Sequence, residues 1–142
     1  MPVYGRGLNV RDWLFVEDYA RALMLILEIG RIGETYCIGG NAERRNIDVV
    51  NAICDAMDAL VPLRSKSSYH KLISFVPDRP GHDFRYATNF NKLKRELGWS
   101  PQHSFEQALL STVQWYIANR AWWEPLTSRR GVGVRRGLHM SV

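Results

Sequence analysis

Val50, Ile53, Cys54, Met57, Leu60 and Val61 recur at the i, i+3, i+4, i+7 spacing of a single helix face, and no other feature of the chain limits its fold as much. A stripe of that kind has to be buried against another element. It predicts a helix over 47–60 with Asn46 as its N-cap. A second helix is expected over 17–29, where apolar residues fill a broad face and Gly30 stands at the C-cap. Phe90, Leu93 and Leu97 mark a short helix capped by Asn89 and ended by Gly98. Ser104 and Gln107 form a capping box ahead of a long helix through about 120, with Phe105, Leu109, Val113, Trp115 and Tyr116 available for packing.

Between the helices only short strand signals remain. ThrTyrCysIle at 35–38 and IleSerPheVal at 73–76 are apolar, four residues long and flanked by turn formers. Residues 2–12 and 62–71 have loop composition. Helices alternating with short strands predict an α/β fold, helix-rich, with a small sheet of few, short parallel strands. At 142 residues the chain fits one domain.

Charge and apolar content exclude several classes. With 46% hydrophobic and 23% charged residues the composition is that of a globular protein. Charged residues interrupt every apolar run, as Arg21 and Glu28 do around 22–27, so no membrane span is expected, and MPVYGRGLNVRDW has no secretory apolar stretch. The net charge of +5 belongs to residues 128–142, which hold four arginines and no acid; without them it is +1. The body is therefore nearly neutral, the basic character belongs to the tail, and neither a nucleic-acid nor a membrane partner is expected. Cys37 and Cys54 sit in apolar patterns and are expected as buried, reduced thiols, which favours the cytoplasm. His70, His103 and His139 have no partner at ligand spacing, so no metal site is expected.

Chemistry concentrates in FVPDRPGHDFRY, residues 75–86. Pro80 and Gly81 make a restricted turn after a strand, from which Arg79 and His82 project; Arg79 can hold a phosphate bidentately and His82 can donate to an oxygen. The competing reading is a solvated turn with Asp78 and Asp83 pairing locally. GRGLNVRDW at 5–13 adds Arg11 beside Trp13, and the start of the 47–60 helix offers backbone N–H groups to an anion. GVGVRRG at 131–137 has no preceding strand and is rejected as a dinucleotide loop. The residues four after each tyrosine are Leu8, Leu23, Gly40, Ile73, Phe90 and Arg120, so no Tyr-x-x-x-Lys pair exists. Trp99, Trp115, Trp122 and Trp123 are expected to form a packing hub.

PVYGRGLNVRDWLFVEDYARAL, GETYCIGGNAERRNIDVV, DRPGHDFRYA and ELGWSPQHSFEQAL, in this order, resemble the C-terminal part of dTDP-glucose 4,6-dehydratases, nucleotide-sugar enzymes of the extended short-chain dehydrogenase/reductase family. The resemblance runs from residue 2 to about 124. It implies a substrate-binding domain over 1–127 followed by a flexible basic tail over 128–142, without the family's N-terminal Rossmann domain. Pro2, Val3 and Tyr4 would line the nucleoside side of the pocket, Arg11 and Asn46 would meet the diphosphate, and Asp78, Arg79, Pro80, Gly81 and His82 would close over the nucleotide. The implied ligand is dTDP-glucose, converted in the intact family to the 4-keto-6-deoxy sugar by oxidation, dehydration and reduction on NAD in a homodimer. No catalytic residue can be assigned to this chain, which alone is expected to bind no NAD and to be inactive. A related epimerase or decarboxylase fragment and a non-catalytic nucleotide-sugar module are the alternatives. The tail position that in the family returns a tyrosine to the substrate is matched here by Gly131.

Overall fold

The computed structural model describes residues 1–128. The expectations for the basic tail, GVGVRRG, Gly131 and His139 lie outside them. Two strands, β1 (Pro2–Tyr4) and β2 (Val10–Asp12), occupy the segment read as loop. They lead into α1 (Val16–Ile29) and, after an extended stretch, β3 (Glu43–Arg45) and α2 (Asn46–Leu60). A 3₁₀ turn at Tyr69–Leu72 precedes β4 (Ser74–Val76) and β5 (Arg85–Tyr86). Three helices finish the described chain: α3 (Asn91–Leu97), α4 (Phe105–Ala118) and α5 (Arg120–Ser128).

The helix-rich α/β reading holds, with two very small sheets. β1 pairs parallel with β4 in register Tyr4↔Val76. β2 lies between antiparallel β3 and parallel β5, with Val10↔Arg85 and Arg11↔Tyr86. The chain therefore leaves β1 and β4 side by side and enters β2 and β5 side by side. Residues 5–9 and 77–84 run as neighbouring bridges between the same two sheets.

Local chemistry explains the helix limits. Gly98 ends α3 with φ 71°, the left-handed conformation glycine adopts without strain. The Ser104–Gln107 capping box forms in both directions at the head of α4. That helix stops at Ala118, short of the expected 120: Asn119 leaves helical geometry and its side chain donates back to the Trp115 carbonyl, 2.8 Å. Asn46 is not the N-cap of α2 but its first residue, with Arg45 in the cap position. Arg45 instead binds Asp48 through two bonds of 2.8 Å, which sets an acid in the first turn where the helix dipole favours it.

The core gathers Ala22 of α1, Leu93 of α3 and Trp99, against which Leu14, Leu25, Ile26, Tyr36, Ile38, Phe90 and Leu97 pack. Tyr36 and Ile38 are held there by their side chains. No strand forms at 35–38, because that backbone meets no partner strand among the described residues. Cys37 points outward and is exposed, whereas Cys54 is buried as expected; burial, with the charges of Asp58 and Asp55, raises its pKa. Of the four tryptophans proposed as a hub, only Trp99 is core. Trp115 and Trp122 are exposed and meet edge to face at 5.4 Å, while Trp123 meets Tyr116 at 6.1 Å.

A buried carboxylate ties α1 to the loop before α4. Asp18 is 1% exposed and accepts from Arg21 Nη2 at 2.7 Å, the Gln102 and His103 amides at 3.1 Å, and His103 Nδ1 at 3.1 Å. Burial pushes its pKa up, but these donors outweigh it and hold the carboxyl below its ordinary value. Among the described residues no helix is long and apolar enough to cross a membrane.

Candidate functional site

The two neighbouring bridges carry most of the polar side chains singled out in the sequence. After β1 the chain turns at Gly5, whose φ of 56° and amide bond to the Val76 carbonyl, 2.9 Å, bring it against the second bridge. A Cβ at Gly5 would lie 3.0 Å from Asp78 Oδ2, so glycine is needed here for both conformation and space. Asp78 Oδ1 accepts from the Arg79 amide at 2.8 Å and pairs with His82 Nδ1 at 2.7 Å. The His82 bond, against some desolvation and with the Arg79 amide helping, holds the Asp78 carboxyl below its usual range. The His82 side chain is only 8% exposed and lies edge-on to Tyr4 at 6.4 Å. Asp78 does pair locally on this exposed turn, with the Arg79 amide and His82, as the competing reading has it, while the Asp83 carbonyl accepts from Arg11 of β2.

Arg11 projects from β2 onto this second bridge. Its Nη2 donates to the Asp83 carbonyl at 2.9 Å, and its Nη1 to the carbonyls of Val10 at 2.7 Å and Phe84 at 3.5 Å. The guanidinium carbon sits 5.0 Å from the centre of the Tyr86 ring. Asn9, buried at 6% exposure, donates to the same Asp83 carbonyl at 3.1 Å. The Asp83 carboxylate raises the pKa of the Tyr86 hydroxyl, while the charges of Arg11 and Arg79 pull it down. Arg11 thus lies on the Tyr86 ring and on the carbonyl of Asp83, four residues after Arg79 on the same bridge. The Arg79 guanidinium is exposed and makes no hydrogen bond or ion pair among the described residues, so its donors are available.

Other candidates stand differently. The Asn46 amide donates to the Asn9 carbonyl and the Ile47 amide to the Gly7 carbonyl, each at 2.9 Å. The first two N–H groups of α2 are therefore spent on the 5–9 bridge, which removes them as the anion site expected from the sequence; the half-buried Asn46 side chain stays at its edge. Val3 is buried in β1 and supports the site through its backbone. Pro2, Pro80 and Gly81 are exposed at the margin. Sequence reasoning missed Asn9, Asp83 and Tyr86, whose roles depend on pairing across more than 70 residues of chain.

A cavity of about 780 Å³ lies elsewhere, between Trp13–Glu17, Val49 and Ile53 of α2, and α4. None of the ten candidate residues lines it, and its apolar walls suit no diphosphate. No group of three or more His, Cys, Asp or Glu that could hold a metal occurs among the described residues. Nor do these residues fit NAD. β3 runs directly into α2 through Arg45-Asn46, β2 reaches α1 through 13–15 and β5 reaches α3 through 87–90, with no glycine-rich turn at any of these three strand-to-helix junctions among the described residues.

Residues 1–112 match the family described as GDP-mannose 4,6 dehydratase. The chain belongs to this family. Among its relatives, dTDP-glucose 4,6-dehydratases of Shigella flexneri and Neisseria meningitidis are each 52% identical, over 90% and 87% of the chain. The chain spans 35% and 36% of their length. A solved dTDP-glucose 4,6-dehydratase of Streptomyces venezuelae, with NAD and TYD bound, superimposes on this family member with a TM-score of 0.79 at 41% identity, covering 89% of the chain and 36% of that protein. UDP-glucose 4-epimerase of Thermotoga maritima, with UDP-glucose, gives 0.73 at 26% identity, over 84% of the chain and 35% of the epimerase.

Proposed function

We propose that this chain is the nucleotide-sugar-binding part of a dTDP-glucose 4,6-dehydratase. The observation that carries the reading is that Arg11 of β2 donates to the Asp83 carbonyl on the 77–84 bridge, the same bridge that carries Arg79 and the Asp78-bound His82. A sugar nucleotide joins an aromatic base to a linker of about two negative charges, and paired guanidinium groups with an imidazole answer that linker with charge-assisted bonds. Arg79 supplies open donors, Arg11 is held by the Val10, Asp83 and Phe84 carbonyls, and His82 is oriented by Asp78. Tyr4, Pro2 and the backbone of Val3 form the neighbouring wall for the nucleoside, while Asn46, Pro80 and Gly81 frame the entrance.

In the whole enzyme NAD would supply the hydride chemistry. The residues of this chain bind and orient, and the chain alone gives no turnover, since the groups that move protons and hydride are not among them. The 52%-identical relatives favour thymine as the base, and the epimerase likeness supports uracil as the second reading.

Calorimetric titration of the purified chain with dTDP tests the proposal. Saturable binding is expected, weakened about tenfold or more in Arg79→Ala through loss of a charge-assisted contact. Equal affinity in Arg79→Ala would refute it. Competition among dTDP, UDP and GDP separates the bases.

A further inference from the structure

Arg11 and Tyr86 face each other across parallel strands β2 and β5, in direct register. The guanidinium lies over the ring at 5.0 Å, a distance at which a cation is attracted by the face of an aromatic. The Asp83 carbonyl takes the Arg11 Nη2 donor, and the Asp83 carboxylate raises the pKa of the Tyr86 phenol. The Asp83 backbone thus holds the guanidinium in place over the ring.

The donor inventory of Arg11 gives this clamp a direction. Its Nη1 donors go to the Val10 and Phe84 carbonyls and one Nη2 donor to Asp83. The Nε–H and the second Nη2 hydrogen meet no acceptor among the described residues. Those two form the side-on fork that reads a phosphate with parallel bonds. A guanidinium free to rotate would lose that fork's aim; one pinned by three carbonyls and a ring keeps it.

We propose that Tyr86 is a positioning residue for Arg11, holding the guanidinium flat so that its remaining fork meets the diphosphate of the nucleotide. The proposal rests on the nucleotide-sugar reading above. The ring acts, and the hydroxyl is secondary.

Two measurements test it. In the ligand-free chain, ¹⁵N relaxation of the Arg11 Nε–H should show an ordered group in the parent and in Tyr86→Phe, and a mobile one in Tyr86→Leu. An Arg11 side chain equally ordered in Tyr86→Leu would overturn the proposal whether or not nucleotide binds. In dTDP titrations, Tyr86→Leu should weaken binding about five- to thirtyfold and Tyr86→Phe by no more than about twofold, with matching thermal midpoints. Followed to millimolar dTDP in an Arg11→Ala background, Tyr86→Leu should cost nothing more. An equal loss in both backgrounds would assign Tyr86 a separate role. A parent chain that does not bind dTDP at all would instead remove the nucleotide-sugar reading.

Discussion

Replacing Asp18 by alanine removes one carboxylate that four donors share, and the structure sets the size of the loss. The Gln102 and His103 amides, each 3.1 Å away and partly buried, would have no acceptor. An orphaned buried N–H costs about 1–3 kcal/mol. Arg21 and the His103 ring are about a third exposed, and Arg21 keeps its bond to the Ser100 carbonyl at 3.0 Å, so their losses are softened by water. The total is about 3–5 kcal/mol, the range found when a buried charge pair is broken. A domain of this size has about 5–15 kcal/mol in all, so a third or more of its stability is at stake. Urea unfolding followed by far-UV circular dichroism measures it, with Asp48→Ala as the surface control. A loss below about 1 kcal/mol, no larger than the control's, would refute the reasoning. The pH dependence has a definite sign. Because the folded pKa of Asp18 lies below its ordinary value, its stabilisation is complete above about pH 4 and fades as the pH falls through the folded value. The stability gap between the parent and Asp18→Asn should therefore narrow in acid, and a gap that widened would contradict the hydrogen-bonding account.

Gly5→Ala should destabilise by about 1–2 kcal/mol in thermal or urea melts, since φ of 56° and Asp78 Oδ2 at 3.0 Å both oppose a Cβ. Leu93→Ala, at a fully buried position, should cost about 2–5 kcal/mol in the same melts, whereas Trp122→Ser, 64% exposed, should stay within about 1 kcal/mol. Raising sodium chloride from about 50 to 500 mM should weaken dTDP binding, with a shallower salt dependence in Arg79→Ala, as screening of an exposed cation requires. The contribution of Asp78 to dTDP affinity, read as the ratio of parent to Asp78→Asn, should be lost in acid as the pH falls through its depressed folded pKa.

Helices were legible because their signals are local. The stripe from Val50 to Val61, the Ser104–Gln107 box and the Gly98 stop each involve residues within a turn or two of one another. Strands of two or three residues have no readable period, and their bonds join positions such as Tyr4 and Val76. Residues 2–12 consequently read as loop. The stretch at 35–38 failed for the opposite reason: its residues favour a strand, but a strand also needs a partner, and β2 is already flanked on both sides by β3 and β5. Position on a helix misled at the tryptophans. Trp99 follows a glycine stop that folds it inward, whereas Trp115 lies two residues from buried Val113 and so on the other side of α4. In the candidate site, Arg79 and His82 could be picked out by residue type, since guanidinium and imidazole are what an anion needs. Asn9 and Tyr86 carry no such mark, and they matter only because β2 and β5 lie in register.

That register makes the site a property of the whole fold. Neither sheet can form from neighbouring sequence: β1 waits for β4 and β2 for β5, each pair separated by about 70 residues that include α1 and α2. The 5–9 bridge is fixed at both ends by these pairings and in the middle by the α2 amides of Asn46 and Ile47. The amides that a free helix N-terminus would offer to an anion are thus used to set the bridge, and charge for the ligand has to come from side chains instead. Lesions in the core and lesions at the arginines then differ in kind. Removing Leu93 lowers the folded population, so its effect on binding is relieved when excess nucleotide draws the chain back to the folded state. Removing the Arg79 side chain, which makes no hydrogen bond or ion pair among the described residues, leaves that population unchanged and weakens the folded state's own affinity, which no shift toward the folded state can restore.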